Sequence, residues 1–185
     1  MNKRRCKWAE NVEDIYVKYH DEEWGIPVYE DVKLFEMLLL ESFQAGLSWI
    51  TILKKRENFK EAFDAYDIKK IASYNEEKIE ELRNNKGIIR NKLKIKAAIN
   101  NAKIFIDIQK EYGSFSNYIW GFTNGKIEYG KTLRTHSDLS DQISKDLMRR
   151  GMKFVGTVII YSYLQAIGIV NDHEEQCFKY HGKKI

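Results

Sequence analysis

The longest apolar segment of the chain, Phe35 to Leu53 (FEMLLLESFQAGLSWITIL), holds one acidic residue after Glu36, and that is Glu41. On a helix, Leu34, Met37, Leu38 and Glu41 fall at i, i+3, i+4 and i+7, so the carboxylate shares a stripe with three core-type side chains. Spacing alone leaves two readings open. Glu41 either sits at the edge of the stripe and bends to water, or is buried, at a cost on the order of several kcal/mol unless a partner or ligand satisfies it.

The rest of the pattern reads as helices. Asp31 is placed to cap a helix running to about Ala45, which Gly46 ends, and a second helix is expected from about Ser48 to Asn58 after an irregular N-terminal stretch. Shorter helices are expected over Phe59 to Ala65, Ile68 to Ser73 and Glu76 to Asn84, the last capped by Asn75. A turn, Asn85 to Arg90, leads into a long helix to Tyr112 with Ile95, Ile99, Ala102 and Ile106 on one face. Ser114 caps a short helix ending at Gly121, and a polar connection follows to about His136. Ser137 opens a helix that Gly151 stops. Phe154 to Ile169 mixes β-branched residues with helix formers and is assigned to a buried helix by its length. Asn171 or Asp172 is expected to cap a last helix through Phe178. With one proline and mostly isolated glycines, the chain reads as all-α, a single compact unit over 1–185.

Charge adds a direction. The excess is mild, 31 basic against 27 acidic residues, but Leu82 to Ile106 contains no acid while carrying Arg83, Lys86, Arg90, Lys92, Lys94, Lys96 and Lys103. Arg149, Arg150 and Lys153 bracket Gly151, and Lys54 to Arg56 form a third basic group. Such patches suit a phosphate backbone, although any one of them also reads as a solvated helix face. No apolar run reaches the roughly 20 residues of a membrane span, and the N-terminus lacks a signal-peptide core, so a cytoplasmic, monomeric protein is expected. Two cysteines are too few for a disulfide framework.

Three constellations could carry chemistry. His173 and Cys177 stand four apart and, with Cys6 and His20 at the other end of the chain, would make a filled Cys2His2 tetrahedron, structural rather than catalytic; the same spacing also serves ordinary packing. Trp8, Tyr16, Tyr19, Trp24 and Trp49 crowd the first fifty residues, and aromatic faces beside one anion suit a flat cationic ring. The turn around Gly87, flanked by Arg90 and Lys92, has the makings of a helix-hairpin-helix over about 76–112 whose amides hold a phosphate.

Taken together, YHDEEWGIPVYED (Tyr19 to Asp31), LFEMLLLESFQAGLSWITILKKRENF (Leu34 to Phe59), GIIRNKLKI (Gly87 to Ile95), KFVGTVIIYSYLQAIGIVNDH (Lys153 to His173) and Cys177 resemble the bacterial 3-methyladenine DNA glycosylase I family, of the helix-hairpin-helix glycosylases. The resemblance covers Cys6 to Cys177. It implies that Glu41 recognises the excised base, that Tyr19 and Trp49 enclose it with Trp8 and Tyr16 as neighbours, and that Cys6, His20, His173 and Cys177 bind a structural zinc clipping segment 1–30 to 170–185. It further implies that Gly46 and Leu47 press into the duplex where the damaged nucleotide leaves; Lys153, from the basic group around Gly151, is expected to face DNA as well. One departure stands out: Ile89 occupies the place of the hairpin's usual second glycine.

The implied reaction is monofunctional hydrolysis of 3-methyladenine from damaged double-stranded DNA, in base excision repair. A 3-methylated adenine is cationic in DNA, so its bond is weakened and the base leaves neutral; the enzyme's task is flipping and recognition. The resemblance supplies no counterpart of the aspartate that assists hydrolysis in the wider superfamily, and no Schiff-base lysine. The competing reading from another class is a non-catalytic, zinc-stabilised DNA-binding domain, which leaves Glu41 without a role. A zinc deaminase is disfavoured because the pairing of H-x-E with P-C-x-x-C is missing.

Overall fold

The computed structural model describes residues 3–130 and 134–180. Among these residues ten α-helices are arranged about one core: α1 (Asp14–Glu22), α2 (Asp31–Gln44), α3 (Trp49–Leu53), α4 (Arg56–Ala62), α5 (Ile68–Ala72), α6 (Glu76–Asn84), α7 (Lys92–Tyr112), α8 (Phe115–Gly121), α9 (Asp138–Arg149) and α10 (Thr157–Ala166). The expected connection to His136 falls partly outside the described residues, at 131–133.

Helix α2 is the axis. Every residue from Leu34 to Phe43 is buried, because α7, α8 and α10 pack around it, and a helix covered on all sides can be apolar on all sides. Its C-terminus has no basic residue of its own. Lys94, reaching across from α7, instead donates to the carbonyls of Phe43 and Ala45 at 2.9 and 2.6 Å and satisfies the open end. Gly46 then turns the chain with φ +79°, a conformation that costs glycine nothing.

Several expected caps stand where the sequence puts them. Asn75, Ser114 and Ser137 each accept from an amide of the first turn of α6, α8 and α9, and Asn91, expected as the first residue of its helix, does the same for α7. Asp31 differs: it is the first residue of α2, and its carboxylate accepts from the amides of Phe115 and Ser116, capping α8 in place of its own helix. The N-terminal stretch expected to be irregular contains α1, and the helix expected over Ser48 to Asn58 divides into α3 and α4 at Lys54 and Lys55. The segment after Asn171 is not helical. Val170–Asn171 form a short strand, β2, parallel to β1 (Glu128–Tyr129), and the chain continues in turns through Cys177. His173 and Cys177 therefore do not share a helix face. Pairing with a strand about forty residues away, invisible to local periodicity, took the place of the helix.

Candidate active site and metal-ligand cluster

Two buried carboxylates in α2 meet opposite fates. Glu36 is held by Arg56 at 2.7 Å and Lys33 at 2.9 Å, while Arg56 also grips Glu23 through two bonds of 2.8 Å. Glu41, one and a half turns further on, is 3% exposed and has no hydrogen bond or ion pair among the described residues. Burial alone pushes its pKa up to about 8. A carboxyl left in that state lines a cavity.

The cavity has a volume of about 310 Å³, with an aromatic wall of Trp8, Tyr16, Tyr19, Trp24 and Trp49. Rings of Trp8 and Tyr16 lie 5.1 Å apart, Trp8 and Trp24 5.0 Å, and Tyr19 and Trp49 5.4 Å. Trp8 lies in a 3-10 turn (Lys7–Ala9), Tyr16 and Tyr19 on α1, Trp24 just past its end and Trp49 at the start of α3. Burial raises the pKa of Tyr16 and of Tyr19, with Glu41 adding to both. The indole N–H of Trp49 is buried without an acceptor among the described residues. A flat ring with acceptors at its edge would satisfy it. Glu41, Tyr19, Trp49, Trp8 and Tyr16, all expected at the site, thus share one cavity.

A second, polar wall went unrecognised in the sequence. Ser162 and Gln165 of α10, Asp172 just past β2, Glu174 and Arg134 complete the lining with Gln44. Their one legible signal is that Tyr161 and Gln165 stand at i, i+4 on α10, and both donate to Asp172 Oδ2 at 2.6 Å. Asp172 does not cap a helix.

The residues expected to meet DNA divide. Gly46 and Leu47 form a tight turn at the end of α2, where the Leu47 amide donates to the Gln44 carbonyl and the exposed Leu47 side chain stands beside the cavity-lining Gln44. Lys153 is exposed, and its backbone is clamped by Asn101 of α7 through bonds of 2.8 and 2.9 Å. Lys94 and Asn101 lie two turns apart on α7, so one helix anchors both segments. At the other turn, α6 and α7 flank Asn85 to Asn91 as expected, but the Gly87 amide already donates to Asn85 Oδ1 and its carbonyl accepts from Lys55 and Asn58. The Leu93 and Lys94 amides are taken by Asn91. Lys92 is paired with Glu76 and Glu80, whereas Arg90 is exposed. The acid-free stretch is thus partly neutralised by α6, across the turn.

Ligand atoms of Cys6, His20 and Cys177, all buried, lie within 4.8 Å of one another. His173 stands beside them, its ring centre 5.1 Å from that of His20. The outer nitrogens are already oriented: His20 Nδ1 donates to Asp21 Oδ1 at 2.8 Å, with Asp21 held by Arg5, and His173 Nδ1 donates to Asn171 Oδ1 at 3.0 Å. His20 Nε2 points to Cys177 Sγ at 3.4 Å. Burial pushes the Cys6 thiol up to about 12 and lowers the His20 pKa, which describes the cluster without an ion's charge. Cys6, His20 and Cys177 thus form a set of donors of the kind that holds a metal ion, with the His173 ring beside it.

Comparison with known proteins gives a consistent result. The family model for methyladenine glycosylase matches residues 8–180. The chain is 45% identical to DNA-3-methyladenine glycosylase 1 of Escherichia coli K12, with 97% of this chain and 98% of that protein covered. A crystal structure of 3-methyladenine DNA glycosylase I superposes with a TM-score of 0.91 at 44% identity, covering 96% of this chain and 100% of that one. A structure of the Staphylococcus aureus 3-methyladenine DNA glycosylase I, solved to explain 3-methyladenine recognition, superposes with a TM-score of 0.89 at 37% identity over 94% of each chain. On this match, spanning the cavity, the cluster and the core alike, the chain belongs to the methyladenine glycosylase family.

Proposed function

We propose that this protein is a monofunctional DNA glycosylase that excises 3-methyladenine from alkylated double-stranded DNA, as the first step of base excision repair. The single observation that carries the reading to a base-sized ligand is Glu41, a buried carboxyl with no hydrogen-bond or ion-pair partner among the described residues, facing a cavity walled by five aromatic rings. The relatives at 45% and 41% identity are named as 3-methyladenine glycosylases, and the family supplies the same substrate.

The flipped base enters the cavity against the wall that Tyr19 and Trp49 help to form, and its positive charge is attracted by the aromatic faces. Glu41 accepts from the exocyclic amine. Trp8 and Tyr16 close the aromatic wall, and Leu47, on the Gly46 turn, fills the space the nucleotide leaves in the duplex. Arg90 and Lys153, exposed and anchored to α7 or at its start, face phosphate; Gly87 and Lys92 serve the turn mainly as structure, since their hydrogen-bonding groups are engaged within the protein. Because the departing base is neutral, bond cleavage needs little acid catalysis.

We also read Cys6, His20, His173 and Cys177 as the ligands of one structural zinc. The ion would supply four bonds that tie the segment before α1 to the segment after β2, and with its coordination filled by protein it would activate no water.

The test is release of free 3-methyladenine from methylated duplex DNA, with Glu41→Ala and Glu41→Gln as comparisons. Release by the unaltered protein, lost by at least about 100-fold in both variants while DNA affinity persists, is the expected result. Binding of DNA without release of any base would favour the non-catalytic reading.

A further inference from the structure

The aromatic rings and Glu41 account for the base, and they leave one charge of the same cavity without a role. Arg134, in the segment before α9, is exposed and lines the cavity. It belongs to none of the three basic groups of the sequence. Among the described residues it is the one cation in that lining, and it makes no hydrogen bond or ion pair. Carboxyl groups are at hand, since Asp172 and Glu174 border the same cavity, but both are engaged elsewhere. Asp172 Oδ2 accepts from Tyr161 and Gln165 at 2.6 Å, and Glu174 Oε1 accepts from the Lys7 amide at 3.0 Å. The guanidinium is close enough to the polar wall for its field to act on the Tyr161 hydroxyl, against the upward push of burial. It stays unpaired there.

A lone cation on this wall is at odds with the ligand. The damaged base is itself cationic while joined to DNA, and an unbalanced arginine beside it would raise the cost of admitting it. The conflict disappears if the charge is spent on an anion that arrives with the base. A flipped nucleotide brings one, because its base fills the cavity while its own phosphates, covalently attached, stay at the mouth. The opening is shared with the turn read above as facing the duplex: Gln44 lines the cavity and donates to the Leu47 carbonyl at 2.7 Å. A guanidinium fork matches two phosphate oxygens, and an exposed side chain is free to swing to them. Resting on the glycosylase reading above, we propose that Arg134 binds the phosphate next to the flipped nucleotide, and so grips damaged DNA only once the base has left the stack. Arg134 touches neither the base nor the bond that breaks. It is a positioning residue that offsets part of the cost of flipping.

The test uses the full chain and short duplexes with a tetrahydrofuran abasic site in place of the damaged nucleotide. In two further duplexes an uncharged methylphosphonate replaces the flanking phosphate, on one side and then on the other. Arg134→Gln should bind the abasic duplex about tenfold more weakly, and its dependence of log K on log salt should be shallower by about one. Its affinity for undamaged duplex should change by less than about twofold, since an unflipped nucleotide leaves Arg134 without its phosphate. Free 3-methyladenine binding and the melting temperature should not move, because the exposed side chain supports neither. Arg134→Lys, which keeps the charge, should keep the salt dependence. One of the two methylphosphonates should cost the unaltered protein about tenfold and Arg134→Gln almost nothing further. An unchanged salt slope, equal losses on abasic and undamaged duplex, or methylphosphonate and substitution losses that multiply in full would each overturn the proposal. Faster excision by Arg134→Gln would also overturn it, marking a charge that only opposes the base. Failure of the unaltered protein to release any base retires the glycosylase reading itself, whatever the methylphosphonates show.

Discussion

Replacing Glu41 by glutamine should stabilise the protein, and increasingly so as pH rises. Folding moves the carboxyl from water, where its pKa is 4.5, to a site where burial raises it to about 8. A group that binds its proton more tightly when folded contributes full stability below its unfolded pKa and loses it as pH climbs toward the folded one. The window here is about pH 4.5 to 8. At about 1.4 kcal/mol per unit, the wild-type protein gives up roughly 3 kcal/mol by pH 7 and between about 4 and 5 above pH 8. Glutamine carries no proton to lose and pays only for burying an amide. Thermal melts of the two proteins from pH 5 to 9 should start close together and separate, with Glu41→Gln gaining roughly 8 to 16 °C by pH 9 for a chain of this size. Taking the difference between the proteins removes every other titrating group. A separation that stays flat with pH would refute the claim that Glu41 is buried without a partner. The same substitution should abolish excision, so that stability and activity move in opposite directions, as expected where a site holds an unsatisfied group ready for its substrate.

Elemental analysis should find about one zinc per folded chain, and His173→Ala or Cys177→Ala should lose it together with several kcal/mol of stability, on the order expected when folding and metal binding are coupled; metal-free protein of unchanged stability would remove the site. Trp49→Ala should weaken free 3-methyladenine binding by about 1–3 kcal/mol, measured by titration calorimetry, with little change in affinity for undamaged DNA. Lys94→Met should cost about 1–3 kcal/mol in chemical denaturation, because two carbonyls at the end of α2 lose their donor, and should loosen the Gly46–Leu47 turn enough to raise amide exchange there.

Helix class, the existence of α2, α5, α6, α7, α8, α9 and α10, and three of the caps were legible in the sequence, since 3.6-residue periodicity and Ser or Asn ahead of it are local signals. The burial of Glu41 was legible as one of two readings. Its aromatic neighbours were legible as a list, because they sit close together in the chain. The expected metal ligands, at opposite ends of it, could be named from family resemblance but not placed, and the segment expected as a helix carrying His173 and Cys177 consists of the end of a strand and turns.

What the chain determined by itself is thus whatever neighbours within a few turns decide: amphipathic stripes, caps, breakers, and a carboxylate misplaced on an apolar face. Tertiary structure alone decided which carboxylate found a partner and which did not. Arg56 reaches Glu36 from α4 and, among the described residues, no hydrogen-bond or ion-pair partner reaches Glu41, although both stand on the same buried helix. It also turned Asp31 into the cap of a helix more than eighty residues away, spent much of the basic charge of α7 on the acids of α6, and folded Asp172 beneath Tyr161 and Gln165 into the cavity wall. Each of these is a pairing of charges or donors whose energy depends on distance through space, and sequence spacing carries that distance only within a helix.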